Sequence, residues 1–197
     1  MRNLIIVSGL LTLMAATAQA ADIPTEAQQC VTCHGDKGQG TAQGPMIGGM
    51  SEQYLDAQIE NFIAGRRKNT LMTLMAQSLV DLPARKVALS YFAAQGSPLK
   101  GQLRGDKIAL SGAEKLYYQG DLKRGLPACY SCHGPSAAGG GSFPRLAGQQ
   151  ADYLEEQLIA WRKLERSGDH DNTMGHIAAK LKEDEIKSLA TYLSAIQ

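Results

Sequence analysis

The chain has 197 residues, with 20 Lys and Arg against 19 Asp and Glu and a formal net charge of +1. Because neither half is a polycation, nucleic acid is not an expected partner, and strong electrostatic steering is not expected either. Beyond the first residues, no segment is long and apolar enough to span a bilayer.

The first residues have the pattern of a secretory signal. Arg2 supplies a positive charge, residues 4–15 form a short apolar core, and Ala18-Gln19-Ala20 matches a small-residue cleavage site. The apolar core falls short of the roughly 20 residues that a membrane span needs. We therefore favour a signal peptide of residues 1–20 over an uncleaved anchor, and we expect the mature chain to act in the periplasm.

The pentapeptide Cys-X-X-Cys-His occurs at residues 30–34 and again at residues 129–133, and its two copies use all four cysteines of the chain. Positions i, i+3 and i+4 share one face of a helical turn, so two thiols can add to the vinyl groups of one porphyrin while the imidazole faces its iron. The doubled motif predicts two covalently bound haem c groups and, with them, electron transfer. The attachment residues are Cys30, Cys33, Cys129 and Cys132, and the proximal iron ligands are His34 and His133.

Other interpretations of the two motifs are weaker. A redox disulfide does not need the histidine that follows each Cys-X-X-Cys. A zinc site needs a fourth ligand for each set, and no nearby Cys or His pair supplies one in the first half. A structural disulfide within the motif would close a very short loop.

An internal repeat relates the two halves at an offset of 99 residues, as from Cys30 to Cys129. A short insertion in the second half raises the offset to about 102, at which Leu79 matches Leu181. We therefore expect two homologous domains. Other matched pairs are Pro45 and Pro144, Gly49 and Gly148, Tyr54 and Tyr153, Gln58 and Gln157, and Phe62 and Trp161.

The first domain is predicted to open on a short helix capped at Thr25, which has to end early because Cys30 follows. A glycine-rich loop covers residues 35–50, and a helix is predicted from Ser51 to about Arg66. Asp81 can cap the last helix, with Pro83 in its first turn, where proline is tolerated.

The second domain repeats this order. Ser111-Gly112-Ala113-Glu114 is predicted to cap its first helix, residues 134–149 form the glycine-rich loop, and a helix runs from about Ala151 to Arg166. The last helix is amphipathic, with Ile186, Leu189, Ala190 and Leu193 on one face. No segment alternates as a strand over a useful length, so we predict an all-α fold. We assign the first domain to residues 21–98, the linker to residues 99–110 and the second domain to residues 111–197.

The second axial ligand of each iron decides between a closed electron carrier and a haem with an open coordination position. Met174 is the single methionine of the second domain and is its predicted ligand, with His170 and His176 as alternatives. In the first domain the repeat favours Met72, which lies seven residues before Leu79 as Met174 lies seven before Leu181. Met75 is the alternative there.

Ligation by histidine and methionine raises the reduction potential relative to harder donors, because the soft sulfur stabilises ferrous iron. A carbonyl that accepts from the free N–H of each proximal histidine would fix the ring. The carbonyls of Pro45 and Pro144, each eleven residues past its histidine, are candidates for this role.

With these residues placed, the chain resembles the cytochrome c4 family, a dihaem branch of the class I cytochromes c. The resemblance covers nearly the whole mature chain. It is most specific in the doubled motif, in Gly44-Pro45-Met46-Ile47-Gly48-Gly49 with its counterpart at residues 143–149, and in residues 173–181. It implies two tandem class I cytochrome c domains related by a pseudo-two-fold axis, haem propionates near their interface, and His/Met ligation in both.

The resemblance also implies partners. It implies a redox protein donor and a terminal oxidase acceptor, including the cbb3 type, with possible peripheral membrane association. We expect a carrier rather than an enzyme. The alternatives are the dihaem subunit of a flavocytochrome c sulfide dehydrogenase, which would need a flavoprotein partner, and a peroxidase-like haem enzyme, which would need an open haem.

Overall fold

A computed structural model of the chain describes residues 22–96 and 112–196. The predicted signal peptide, the linker and Ser111 lie outside these residues, and the domain boundaries stay predictions. Within the described ranges the protein is helical, and isolated β-bridges are the only strand-like pairing. The all-α prediction is confirmed. None of the helices in these ranges is long and apolar enough to cross a membrane.

The described part of the first domain has four helices, in which α1 and α2 pack on α4 and α3 packs on α2. Three of them are capped by side chains that accept from backbone N–H groups of the first turn: Ser51 for α2, Asn69 for α3 and Asp81 for α4. Asp81 therefore caps as predicted. The helices are α1 (Thr25–His34), α2 (Glu52–Ile63), α3 (Thr70–Gln77) and α4 (Leu82–Ala93).

Helix α1 differs from the sequence prediction. It follows Pro24 without a side-chain cap, so the predicted cap at Thr25 is wrong, and it does not stop before Cys30. It continues through the whole motif and ends at His34, and Gly35 follows with a φ of 84° in the region that favours glycine. The motif residues extend this helix instead of interrupting it, which places both thiols and the imidazole on its last two turns.

The second domain packs in the same way, with α5 and α7 on α9 and α8 on α7. Its first helix and its motif helix are separate, however, because the chain turns at Gly120 and makes a 3₁₀ turn at Leu122–Arg124 before reaching Cys129. The helices are α5 (Gly112–Gln119), α6 (Tyr130–His133), α7 (Ala151–Arg162), α8 (Thr173–Ala178) and α9 (Glu183–Ser194).

Helices α2 and α7 end earlier than predicted, at Ile63 and Arg162. A residue with positive φ follows each of them, Gly65 at 71° and Leu164 at 59°, and such a residue terminates an α-helix. The chain after each helix is then free to extend. Arg67 and Arg166 lie in these segments and pair across the two domains in an antiparallel bridge.

Arg124 joins the 3₁₀ turn of the second domain to α9. Its guanidinium donates to both carboxylate oxygens of Glu185, at 2.8 and 3.0 Å, and to Asp121 at 2.7 Å. The Arg124 hydrogen bonds hold the pKa of Glu185 below its usual value. The fork-shaped contact therefore favours the charged carboxylate and stabilises the loop that leads to the second motif.

We expect Glu185→Gln to destabilise the protein at neutral pH, with a difference from wild type that shrinks in acid. A carboxylate whose folded pKa is lowered stabilises the fold above its unfolded pKa of about 4.5, and the effect is lost as the pH falls through the folded value. Thermal unfolding of holoprotein at pH 7 and at pH 3 measures this. An equal difference at both pH values would contradict it.

Candidate haem sites

Each motif histidine donates a hydrogen bond to the proline carbonyl expected from the sequence. His34 Nδ1 lies 2.7 Å from Pro45 O, and His133 Nδ1 lies 3.1 Å from Pro144 O. Since a carbonyl can only accept, Nδ1 carries the proton and the lone pair is on Nε2. Both rings are therefore held in the tautomer that an axial ligand of iron requires.

The loop after each motif folds back onto the histidine through a tight turn. Thr41 pairs with Gly44, and Gly140 pairs with Phe143 at the same place in the repeat. Thr41 Oγ1 also donates to the carbonyl of Cys33 at 2.6 Å. A Cβ at Gly44 would lie 2.9 Å from that carbonyl oxygen and 3.1 Å from the His34 ring, so this close approach requires glycine.

Burial keeps both imidazoles neutral, which is the form that binds a metal. Burial lowers the pKa of His34, the hydrogen bond to Pro45 offsets part of this, and the charge of Arg67 lowers it further. Burial likewise lowers the pKa of His133. Burial also raises the pKa of the Cys30 and Cys129 thiols to about 11.

The two methionines predicted as ligands lie in the first turns of helices that correspond in the repeat. Met72 lies in the first turn of α3, is half-buried, and packs against the same core cluster as Cys30, to which Met75 does not belong. Met174 lies in the first turn of α8, where its backbone N–H donates to Asp169 at 2.7 Å. The alternatives His170 and His176 are exposed, His170 with 92% of its side chain accessible.

The contact between the domains is centred on two buried arginines, Arg67 and Arg166, which are 8% and 6% exposed. Each guanidinium lies over an aromatic ring of its own domain, Phe62 or Trp161. The acceptors are neutral side chains. Arg67 donates to Gln58, Tyr153 and Gln157, and Arg166 donates to Gln157, Tyr54 and Gln58.

Within the part of the chain that the structure describes, this arginine network forms no ion pair, and Glu156 acts on Arg67 through its charge at longer range. None of the ion pairs there includes Arg67 or Arg166, and the buried Nε of Arg166 has no hydrogen-bond acceptor. Burial alone would raise the pKa of Tyr54, but the Arg166 and Arg67 charges outweigh it and the pKa is lowered. Buried cations normally have an anionic partner, and haem carries two carboxylates that could supply it here. The residues present therefore fit haem.

Sequence reasoning did not single out the arginines. The signal was present, because Arg67 and Arg166 are related by the same offset of 99 residues as the tyrosines, glutamines and aromatic rings that they contact. Gln149, which contacts the loop beside His34, was also missed. Its counterpart in the repeat is Met50, so the repeat gave no signal for a shared polar role.

Other interpretations of the motifs find little support in the geometry. Among residues 22–96 and 112–196, no group of three or more His, Cys, Asp and Glu side chains is placed to hold a metal ion. The two thiols of each motif are not joined in a disulfide. Two thiols and one imidazole at positions i, i+3 and i+4 of a helical turn fit a porphyrin instead.

A model of the cytochrome c family matches residues 21–80 and 113–197. The chain belongs to the cytochrome c family. It is 37% identical, over 99% of its length and 91% of the relative, to the thiosulfate dehydrogenase electron acceptor of Thiomonas intermedia (strain K12). It is 33% identical, over 98% of its length and 96% of the relative, to cytochrome c4 of Pseudomonas aeruginosa.

Two solved structures are similar to this cytochrome. Reduced recombinant cytochrome c4 from Pseudomonas stutzeri has a TM-score of 0.75 at 31% identity, over 90% of this chain and 100% of that one. A thiosulfate dehydrogenase from Marichromatium purpuratum also has a TM-score of 0.75, at 34% identity, over 85% of this chain and 36% of that chain. The expected resemblance to cytochrome c4 is confirmed: the protein is a dihaem electron carrier of this kind, with two covalently bound haem c groups.

We expect Arg67→Met to lower the reduction potential of the haem attached in the first domain, called haem 1 below. A buried positive charge near the site disfavours ferric haem, just as it disfavours protonation of His34. The shift should be on the order of 1 kcal/mol, about 40 mV for one electron. Spectroelectrochemical titration measures it.

Arg66→Met is the matched control, because the neighbouring Arg66 is exposed and its charge is screened by solvent. Equal shifts in the two variants would show that burial of Arg67 plays no part in setting the potential.

Proposed function

We propose that His34 and Met72 ligate the iron of haem 1, and that His133 and Met174 ligate the iron of the second haem, haem 2. In this assignment Cys30 and Cys33 attach haem 1, and Cys129 and Cys132 attach haem 2. The support is the matched placement of Met72 and Met174, each in the first turn of the helix that packs on the long helix after the motif loop. The exposure of His170 and His176 favours Met174 over them.

The haems supply one-electron chemistry, each iron alternating between its ferric and ferrous states. The chain orients each imidazole through a proline carbonyl, and the thioether sulfurs of Met72 and Met174 would supply the second protein ligand of each iron. Thioether sulfur favours the ferrous state, so both potentials should be positive. With His34 and Met72 on one iron and His133 and Met174 on the other, neither haem would have an open position for a substrate, and the protein would exchange electrons alone.

Exchanging the methionines for histidine tests this assignment. We expect Met72→His to lower one of the two reduction potentials and Met174→His to lower the other, each on the order of 0.2 V within the span of about 0.8 V that axial ligands cover. Met75→Leu is the control and should move neither. The optical band of the methionine–iron bond should weaken by half in each histidine variant. If Met75→Leu removed that band from one haem, Met75 would be the ligand.

We further propose that the protein carries electrons in the periplasm from a thiosulfate-oxidising dehydrogenase to a terminal oxidase, with the cbb3 type as the candidate acceptor. The observation that supports the donor is similarity along 99% of the chain to a protein named as an electron acceptor of thiosulfate dehydrogenase. The matched region in the Marichromatium thiosulfate dehydrogenase is 36% of a longer chain, so a unit similar to this chain is part of the same polypeptide as that enzyme.

Reconstituted electron transfer checks this. With catalytic thiosulfate dehydrogenase and excess thiosulfate, we expect both haems to become reduced, and we expect membranes containing a cbb3-type oxidase to reoxidise them. Samples without thiosulfate or without dehydrogenase are the controls. Reduction at the rate of an unrelated monohaem cytochrome would argue against a specific donor.

Two further measurements separate the carrier from its alternatives. The ferrous protein should not bind carbon monoxide, and fast binding at either haem would point to a peroxidase-like enzyme. A flavoprotein that co-purifies with the chain would point to a flavocytochrome subunit.

Cell fractionation tests the location of the protein. We expect release with the periplasmic fluid, and retention on membranes that is reversed by salt would indicate peripheral association.

A further inference from the structure

Gln149 of the second domain lies almost completely buried against the loop that orients His34 in the first domain, with 1% of its surface exposed. Its Oε1 accepts from the backbone N–H of Met46 at 3.0 Å, and its Nε2 donates to the carbonyl of Met46 at 2.9 Å. Oε1 also accepts from Gln150 N at 3.1 Å. Because the Met46 N–H can only donate and the Met46 carbonyl can only accept, these contacts fix the amide orientation.

The Met46 N–H and the Pro45 carbonyl are the two ends of one peptide group. The N–H end donates to Gln149, and the carbonyl end accepts from His34 Nδ1 at 2.7 Å. A hydrogen bond at the N–H end polarises the amide and makes its carbonyl a stronger acceptor. Gln149 therefore acts on the His34 imidazole through a single peptide group, from the opposite domain.

A second contact holds the same loop. Gln150 Nε2 donates to the carbonyl of Thr41 at 2.7 Å. Gly40, with a φ of 85°, provides the space, since a Cβ there would lie 2.8 Å from Met46 N and 3.0 Å from Gln150 Nε2. The second domain thus contacts both ends of the turn that closes on His34.

Within the described residues, the first domain makes no contact like that of Gln149 on the loop that orients His133 in the second domain. The counterpart of Gln149 is Met50, which is buried in the core of the first domain and has no side-chain amide that could donate or accept a hydrogen bond. The hydrogen bond from histidine Nδ1 to the proline carbonyl is also shorter in the domain that Gln149 contacts, at 2.7 Å in the first domain against 3.1 Å in the second. The two haem sites therefore differ in how their proximal histidines are supported.

We propose that Gln149 is a positioning residue that lowers the reduction potential of haem 1 by strengthening the hydrogen bond between His34 and Pro45. A stronger bond at Nδ1 raises the basicity of the imidazole, which stabilises ferric iron. The potential of haem 1 then depends on the docking of the second domain. The inference rests on the proposed ligation of iron by His34.

The test is Gln149→Met, which gives the second domain the residue that the first has at this place. In holoprotein, we expect the Nernst wave of haem 1 to move to higher potential and the wave of haem 2 to stay. Haem 1 is identified by nuclear magnetic resonance of the ferrous protein, through the methyl signal of its methionine ligand. Ser167→Ala is the control, because it removes another hydrogen bond between the domains, to the carbonyl of Arg66, without touching residues 41–46.

Amide exchange supplies a second measurement. In wild-type protein the Met46 N–H should exchange as slowly as core helix amides, and in Gln149→Met it should exchange about tenfold faster. Faster exchange with both potentials unchanged would overturn the proposal, as would equal shifts of both potentials. Rapid exchange of Met46 in the wild type would overturn it without any variant, so a variant that fails to fold leaves it testable.

The two proposals fail in different ways. A wild-type spectrum without methionine–iron bonding at haem 1 would refute the proposed ligation. A normal spectrum with an unshifted haem 1 potential in Gln149→Met would refute only the role of Gln149.

Discussion

The structure depends on holding an imidazole neutral, with one nitrogen bonded and the other free, at the end of a short helix. The chain does this with a glycine that ends the helix directly after the histidine and a proline carbonyl eleven residues on. The loop that carries the carbonyl is anchored to the core of its own domain by apolar residues, among them Met50 in the first domain and Ala147 in the second. In the first domain further hydrogen bonds hold this loop: Thr41 donates to the Cys33 carbonyl, and side chains of the other domain bond to residues 41–46.

The domain interface buries two positive charges, those of Arg67 and Arg166. Two buried guanidiniums would be costly in an apolar contact, and the chain surrounds them with two tyrosines, two glutamines and two aromatic rings from both halves. Each glutamine oxygen accepts from both arginines, so neither domain can satisfy its own arginine without the other. The arrangement couples charge burial to docking, and it places positive charge close enough to the first site to lower the pKa of His34, a shift caused mainly by burial.

Features formed by residues close together in the sequence could be predicted, and contacts between residues far apart in the sequence could not. The helical turn of each motif, the cap at Asp81 and the proline carbonyls involve residues close in sequence, and the repeat extended the motif and proline assignments to the other half. The contacts of Gln149 with Met46 and of Arg166 with Tyr54 join residues 103 and 112 positions apart, and only docking brings them together. The early end of α7 was missed because Leu164 takes a positive φ without the glycine that would signal it.

A duplicated domain begins with two equal haem sites, so any difference between them has to come from positions where the repeat has diverged. The arginine network has not diverged in its main residues, although the charge of Arg67 lowers the pKa of His34 while burial lowers that of His133. Gln149 against Met50, and Gly44 against Phe143 beside the proximal histidine, have diverged, and both act on the histidine side of a site. An electron that passes between two linked haems needs a difference in potential to have a direction. In our proposal, divergence at the proximal loops supplies that difference while the motif and the main residues of the arginine network stay matched, because a change of hydrogen bonding at one peptide group alters the imidazole without altering the core packing.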